Sequence, residues 1–342
     1  MTFVEELATN HGVATSHPLV QYLVRKTRAA DRGSKARRSL GNVYALYVLA
    51  EDVLENRTSR FTDLLGRMRS LPFGSKLQNH PLDNRLNDEF TRQLGLDDSF
   101  APVEPATING QKARVLSRRL LNYQGADPVN VARFVMATVE AYVDKITANQ
   151  SSALEEIQAI ETPEDLAEFF DLAFAANSDA RLFEIASYVL LAEHYRGQYV
   201  YIGTNRDNIT RTPLALFRTG RTNANDGGID FLLQPLGRLY QVTETLDFRK
   251  YFLDFEKVNR FPISFVIKIE ADKSDVIERI RRDAERSGQY SQELLDLYMS
   301  LFQEIFTLYE LQEMAGRIPA TSIQRIKNEL SLQFQLEFGL LD

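Results

Sequence analysis

The chemistry-bearing residues of this chain of 342 amino acids concentrate in one segment, TGRTNANDGGIDF (219–231). Two glycines, Gly227 and Gly228, precede an apolar run, which lets the backbone turn sharply or approach a ligand closely. Asp230 stands where that run begins. Gln241 lies eleven residues on, with Thr243 two positions further. Period-two alternation puts Gln241 and Thr243 on the same face of a strand, and a hairpin brings Asp230 close to Gln241. The chain has no cysteine, which removes disulfides, thiolate metal sites and cysteine nucleophiles. Its four histidines (11, 17, 80 and 194) form no HxxxH or HExxH pair, so a histidine-based zinc site is not expected.

The surrounding sequence predicts the elements that hold these residues. Thr162-Pro163, followed by acids, starts a helix over 161–177, and Asp179 to Arg196 forms a second helix ended by Gly197. Short β-rich runs follow: 198–203, 229–234, 238–244 and 262–270. The second and third flank Pro235-Leu236-Gly237, a hairpin turn. Between the third and fourth, residues 246–261 carry a helical stripe of Phe248, Phe252, Phe255 and Val258, read as core. The expected order is helix, strand, strand, strand, helix, strand.

This set of residues resembles the PD-(D/E)XK nuclease superfamily, on DGGID, a short hairpin, then Gln-x-Thr, over 179–270. The resemblance implies a restriction-endonuclease-like αβββαβ core with a four- to five-stranded mixed sheet, in a mixed α/β (α+β) chain. It places Phe183-Glu184 where that core's first helix carries an acid after an aromatic. Together with the helical remainder, it implies a type II restriction endonuclease: a homodimer cutting double-stranded DNA at a short palindrome, with Mg2+ or Mn2+. Phosphodiester hydrolysis needs an activated water and neutralised phosphoryl charge, both of which a divalent cation supplies. Magnesium takes oxygen ligands, so Asp230, the Gln241 amide oxygen and the Val242 backbone carbonyl are the expected set, with Glu184 binding the ion or orienting water.

One position departs from the motif. Thr243 stands where lysine is usual, and Lys250, early in the following helix, is the leading substitute for the missing ammonium. Glu244 points to the opposite face of a regular strand unless a bulge redirects it. The missing lysine also motivates a rival reading, a catalytically inactive DNA-binding protein on a nuclease scaffold. A repair or structure-specific nuclease is a second rival.

Elsewhere the first half reads as helical. Residues 39–55 form an amphipathic helix, 61–70 continue helically, 75–90 are polar and turn-rich, 100–111 form a proline-containing separator, and 130–146 are helical from a start at Asp127-Pro128. From Ser274 onward the chain is expected to be helical, without a strand. The texture changes near residue 150, giving a helical DNA-contacting region (1–150) and a catalytic region with a helical extension (151–342). Lys and Arg number 40 against 47 Asp and Glu, a net −7, so contact with a polyanion must come from local patches. Arg25, Lys26, Arg28, Arg32, Lys35, Arg37 and Arg38 form one such patch. Arg211, Arg218, Arg221, Asn223 and Asn225 form another, with side chains suited to base edges. No apolar stretch is long enough to span a bilayer and the start lacks a signal-peptide pattern, so a cytoplasmic protein without membrane partners is expected. The resemblance to restriction enzymes implies a cognate DNA methyltransferase in the same system.

Overall fold

The structure is a computed structural model that describes residues 1–30, 34–219, 228–338 and 340. The chain divides into two units, Met1–Ala153 and Leu154–Asp342, and is a mixture of helices and sheets. Among the described residues, no helix is long and apolar enough to cross a membrane.

In the first unit, helices Phe3–Asn10, Pro18–Thr27, Leu40–Leu54, Phe61–Ser70 and Leu86–Leu94 gather around a shared apolar core. Helix Leu40–Leu54 was expected to be amphipathic. It is instead buried around most of its circumference, including Asn42 and Asp52, because neighbours cover it on several sides. Two polar stretches also hold more structure than their composition suggested. Residues 75–90 contain a π-helical turn, Pro81–Arg85, that runs into helix Leu86–Leu94 and buries Leu82, Leu86 and Phe90 at four-residue steps. The stretch expected as a separator instead carries strand β2 (Val103–Ile108), which forms a hairpin with β3 (Gln111–Leu116). Strand β1 (Ser59–Arg60) pairs on the other side of β3. Asn109 and Gly110 take positive φ (50° and 74°) at the hairpin tip, and Pro105 is tolerated because β2 lies at the sheet edge. The helix that begins at Pro128 continues to Ala159 rather than ending near 146.

In the second unit, helix Pro163–Phe174 starts on a reciprocal cap between Thr162 and Asp165. Helix α1 (Ala180–Tyr195) starts on Asp179, whose carboxylate accepts from the Arg181 and Leu182 amides. Among the described residues, strands β4 (Tyr199–Gly203) and β5 (Ile209–Pro213) pair only with each other, as a ribbon. The run at 198–203 is therefore not the first strand of the main sheet. That place belongs to the four-residue β6 (Ala215–Arg218), whose ALFR lacks a clear alternating or continuous apolar run. Then come β7 (Phe231–Gln234), β8 (Arg238–Thr243), helix α2 (Phe248–Lys257) and β9 (Ile263–Ile267). Helices Lys273–Ser287 and Gln292–Ser300 lead to β10 (Phe302–Phe306), a strand inside the stretch expected to be wholly helical. Helix Leu308–Gly316 and α3 (Ile323–Phe338) complete the unit.

The five strands lie in the order β10-β9-β8-β7-β6. β6, β7 and β8 are antiparallel, whereas β8, β9 and β10 are parallel. β9, with the sequence ISFVI, is buried along its whole length, as a central parallel strand should be. Helix α2 sets Tyr251 edge-on against Phe265 of β9 (centroids 4.8 Å apart) and stacks Phe252 on Tyr298 (4.3 Å). That aromatic packing fixes how α2 lies on the sheet, and therefore where Lys250 in its first turn can reach.

Candidate active site

Asp230 is held from three directions. Its N–H donates to the Tyr240 carbonyl (2.9 Å), and its own carbonyl accepts from the Thr219 N–H (2.9 Å), so the strand ladders extend one residue past β7 on both sides. The carboxylate Oδ2 then accepts from the Val242 N–H at 2.7 Å. Gly228 (φ 65°) precedes this arrangement in a conformation that suits glycine. Enclosure and the nearby Glu184 charge push the Asp230 pKa up to about 7, against the opposing effects of the Val242 N–H, Arg181 and Lys250.

Val242 directs its N–H toward Asp230, while the next residue, Thr243, turns its carbonyl to the Lys268 N–H on the β9 side (2.9 Å). Backbone groups alternate sides along a strand, so the Val242 carbonyl shares the Asp230 side. Gln241 and Thr243 lie on the same face of β8. The Gln241 side-chain oxygen is buried with no hydrogen-bond partner, and a buried acceptor left without a donor is costly unless something else occupies it.

Lys250 reaches back from α2, and its Nζ donates to Thr243 Oγ1 at 2.7 Å. Burial lowers the Lys250 pKa, opposed by the charges of Asp254 and Asp230. Glu244 faces elsewhere and pairs with Lys268 (3.2 Å), whose buried Nζ also donates to Ser178 Oγ at 2.7 Å.

Glu184 is brought to the same end of the sheet but is already engaged. Its Oε1 accepts from Arg218 Nη2 (2.7 Å) and Nε (3.1 Å), and its Oε2 from Arg181. Arg218 Nη2 also donates to Glu337 Oε2 of α3 at 2.9 Å, and Arg181 Nε lies 3.6 Å from Glu337 Oε1. Arg218 is thus a nearly buried organiser of the acidic pair rather than a guanidinium presented to base edges. Of the residues that the sequence reading passed over, Arg181 carried one local signal, its i,i+3 spacing from Glu184. Glu337 and Lys268 carried none, because their partners are distant in sequence.

The other expected contacts divide. Arg25 donates to the Gln93 carbonyl, Lys26 pairs with Glu89 at 2.7 Å, and the Arg37 guanidinium lies over the Phe73 ring at 4.3 Å, so these three serve the first unit's own packing. Arg28 and Arg38 are exposed. Arg211 lies on the Tyr199 ring of the ribbon, 3.6 Å from its centroid. Arg32, Arg221, Asn223 and Asn225 lie outside the described residues, as does the side chain of Lys35.

Among the described residues, no group of three or more His, Asp or Glu side chains is arranged to hold a metal ion. The set at this site is instead one anchored carboxylate, an amide oxygen without a donor and a backbone carbonyl, with Glu184 adjoining. These are hard oxygen ligands, and they fit Mg2+ or Mn2+. Comparison with known proteins gave no match to any protein-family model, curated protein or solved structure.

Proposed function

We propose that this chain is a Mg2+-dependent endodeoxyribonuclease of the type II restriction class, hydrolysing phosphodiester bonds in double-stranded DNA at a short specific sequence. One observation carries the reading: Lys250 supplies an ammonium at Thr243, on the strand whose Val242 amide fastens Asp230. With the β4–β5 ribbon as an insertion after α1, the succession α1, β6, β7, β8, α2, β9, antiparallel and then parallel, supports it, since the PD-(D/E)XK superfamily has an αβββαβ order. The residues that would hold Mg2+ or Mn2+ are Asp230, Gln241 and Val242, with Glu184 beside them. A divalent ion there supplies Lewis acidity to the phosphoryl group and lowers the pKa of a water. Val242 N–H orients the Asp230 carboxylate, and Thr243 orients the Lys250 ammonium, which offsets phosphate charge. Burial makes that ammonium readier to release its proton than an exposed lysine would be.

A homodimer belongs to this reading, since a two-fold protein matches a palindromic target. So do a cytoplasmic location and a cognate DNA methyltransferase that shields the host's own sites. A second reading, a DNA-binding protein that does not cut, is favoured by the engagement of both Glu184 oxygens by arginine. Incubating the purified protein with plasmid and Mg2+ separates them. Discrete fragments support the site-specific nuclease, and a smear supports a repair-type nuclease. Intact plasmid with a gel shift supports the non-cutting binder and overturns the main proposal.

A further inference from the structure

The two arginines that hold Glu184 differ in what they can do. Arg218 is enclosed (side chain 11% exposed) between Glu184, Glu337 and the Gln333 side chain, and has no route to an incoming ligand without dismantling α3's contact. Arg181, in the first turn of α1, is 43% exposed and donates to Glu184 Oε2 while its Nε stays 3.6 Å from Glu337. Of the pair, only Arg181 can leave.

Charged groups of both signs meet here, with Asp179 at the start of α1 beside them. Asp230, Glu184 and Glu337 stand against Arg181, Arg218 and Lys250, while the flanking pairs Glu244–Lys268 and Asp254–Lys257 are each neutral in themselves. A divalent cation entering alone adds two positive charges to a mostly enclosed site. A phosphodiester arriving with it removes one of them and offers the Arg181 guanidinium an acceptor of matching geometry. We propose that Arg181 is a phosphodiester-binding residue that caps Glu184 in the substrate-free protein, so that cation and phosphodiester bind cooperatively. The cap passes to a phosphate oxygen, and Glu184 Oε2 is freed toward the cation at Asp230. By linkage the coupling is reciprocal: whatever factor the phosphodiester adds to cation affinity, the cation returns. This inference rests on the cation site proposed above.

The test is a titration of the full-length protein with Mn2+, following free ion by electron paramagnetic resonance at one fixed pH for every variant. Saturating dimethyl phosphate serves as the phosphodiester. The wild type is expected to bind Mn2+ at least about fivefold more tightly with dimethyl phosphate than without. R181Q, with Glu184 uncapped, is expected to bind Mn2+ several-fold more tightly than the wild type when no phosphodiester is present, and to gain less than about twofold from it. R181K, which keeps the charge but not the fork, should retain a reduced coupling. Wild-type coupling in R181Q, or Mn2+ affinity unchanged by that substitution, overturns the role of Arg181. D230N distinguishes that failure from a deeper one. Loss of Mn2+ binding in D230N alongside an unaltered R181Q sinks only the Arg181 assignment, whereas equal binding in D230N and wild type sinks the cation site and this inference with it.

Discussion

Lys250 Nζ donates to Thr243 Oγ1 across 2.7 Å, so an ammonium from the helix after β8 lies against the side chain two positions past Gln241 on that strand. If that ammonium serves the reaction, K250A loses about 10²–10³ in single-turnover cleavage rate, the scale of one lost electrostatic contact to a transition state. Moving the amine onto the strand should restore part of it. In K250A/T243K, cleavage is expected at least about tenfold above K250A, with the proton-transfer group back in reach. Unchanged turnover in K250A removes Lys250 from the site.

Asp230 makes a pH-dependent claim that needs no cleavage assay. Its pKa rises from 3.8 to about 7 on folding, so between those values the folded carboxyl holds a proton that the unfolded chain releases. Stability of the wild type therefore falls as pH rises from about 4 to about 7, by at most about 4 kcal/mol if the whole shift is expressed. The D230N amide cannot ionise and escapes this loss. In thermal melts with chelator present, D230N should melt above the wild type at alkaline pH, and the gap should close as pH falls toward 4. A gap that stays constant across that range contradicts the raised pKa. Saturating Mg2+ should narrow the alkaline gap by stabilising the ionised wild type alone.

What was legible in the sequence was local. Thr162-Pro163, Asp179 and the Gln241-to-Lys250 stretch announced their elements through caps, alternation and stripe, and the Asp230–Gln241 pairing followed from a short hairpin. β6 and β10 are no shorter than β7 and β9 but escaped notice because ALFR and FQEIF lack a clear alternating or continuous apolar run, so only pairing with β7 and β9 defines them. The run 198–203 misled for the opposite reason. Its Tyr and Ile residues look like core, yet Tyr199, Tyr201 and Ile202 are exposed on a free ribbon. The ion network escaped because its partners are distant in sequence: Arg218 meets Glu184 across 34 residues and Glu337 across 119.

That network sets a stability expectation. Removing Arg218 leaves Glu184 and Glu337 facing each other in a mostly enclosed space with only the half-exposed Arg181 between them. R218M should cost about 3–5 kcal/mol in denaturant unfolding, the usual cost of breaking a buried pair from one side. Neutralising the stranded acids in R218M/E184Q/E337Q should recover most of that loss. If the triple variant is no more stable than R218M, the penalty comes from lost packing of the arginine stem rather than from uncompensated charge.

The basic run of the first unit separates into residues that pack and residues that are exposed. Lys26 joins a network in which Asn42 bridges Glu89 (2.8 Å) and the Tyr22 hydroxyl (2.9 Å), so K26M should lower the melting temperature by leaving Glu89 short of a cation. Arg28 and Arg38 are exposed, and R28A/R38A should leave melting unchanged. Its effect should appear in DNA binding measured over a range of salt. Each lost phosphate contact reduces the slope of log affinity against log salt by about 0.9, so the double variant should flatten it by up to about 2, equally for cognate and unrelated sequences. An unchanged slope assigns Arg28 and Arg38 to a solvated face and moves the task of holding the duplex away from this run. A loss confined to one sequence makes them readers of bases rather than binders of phosphate.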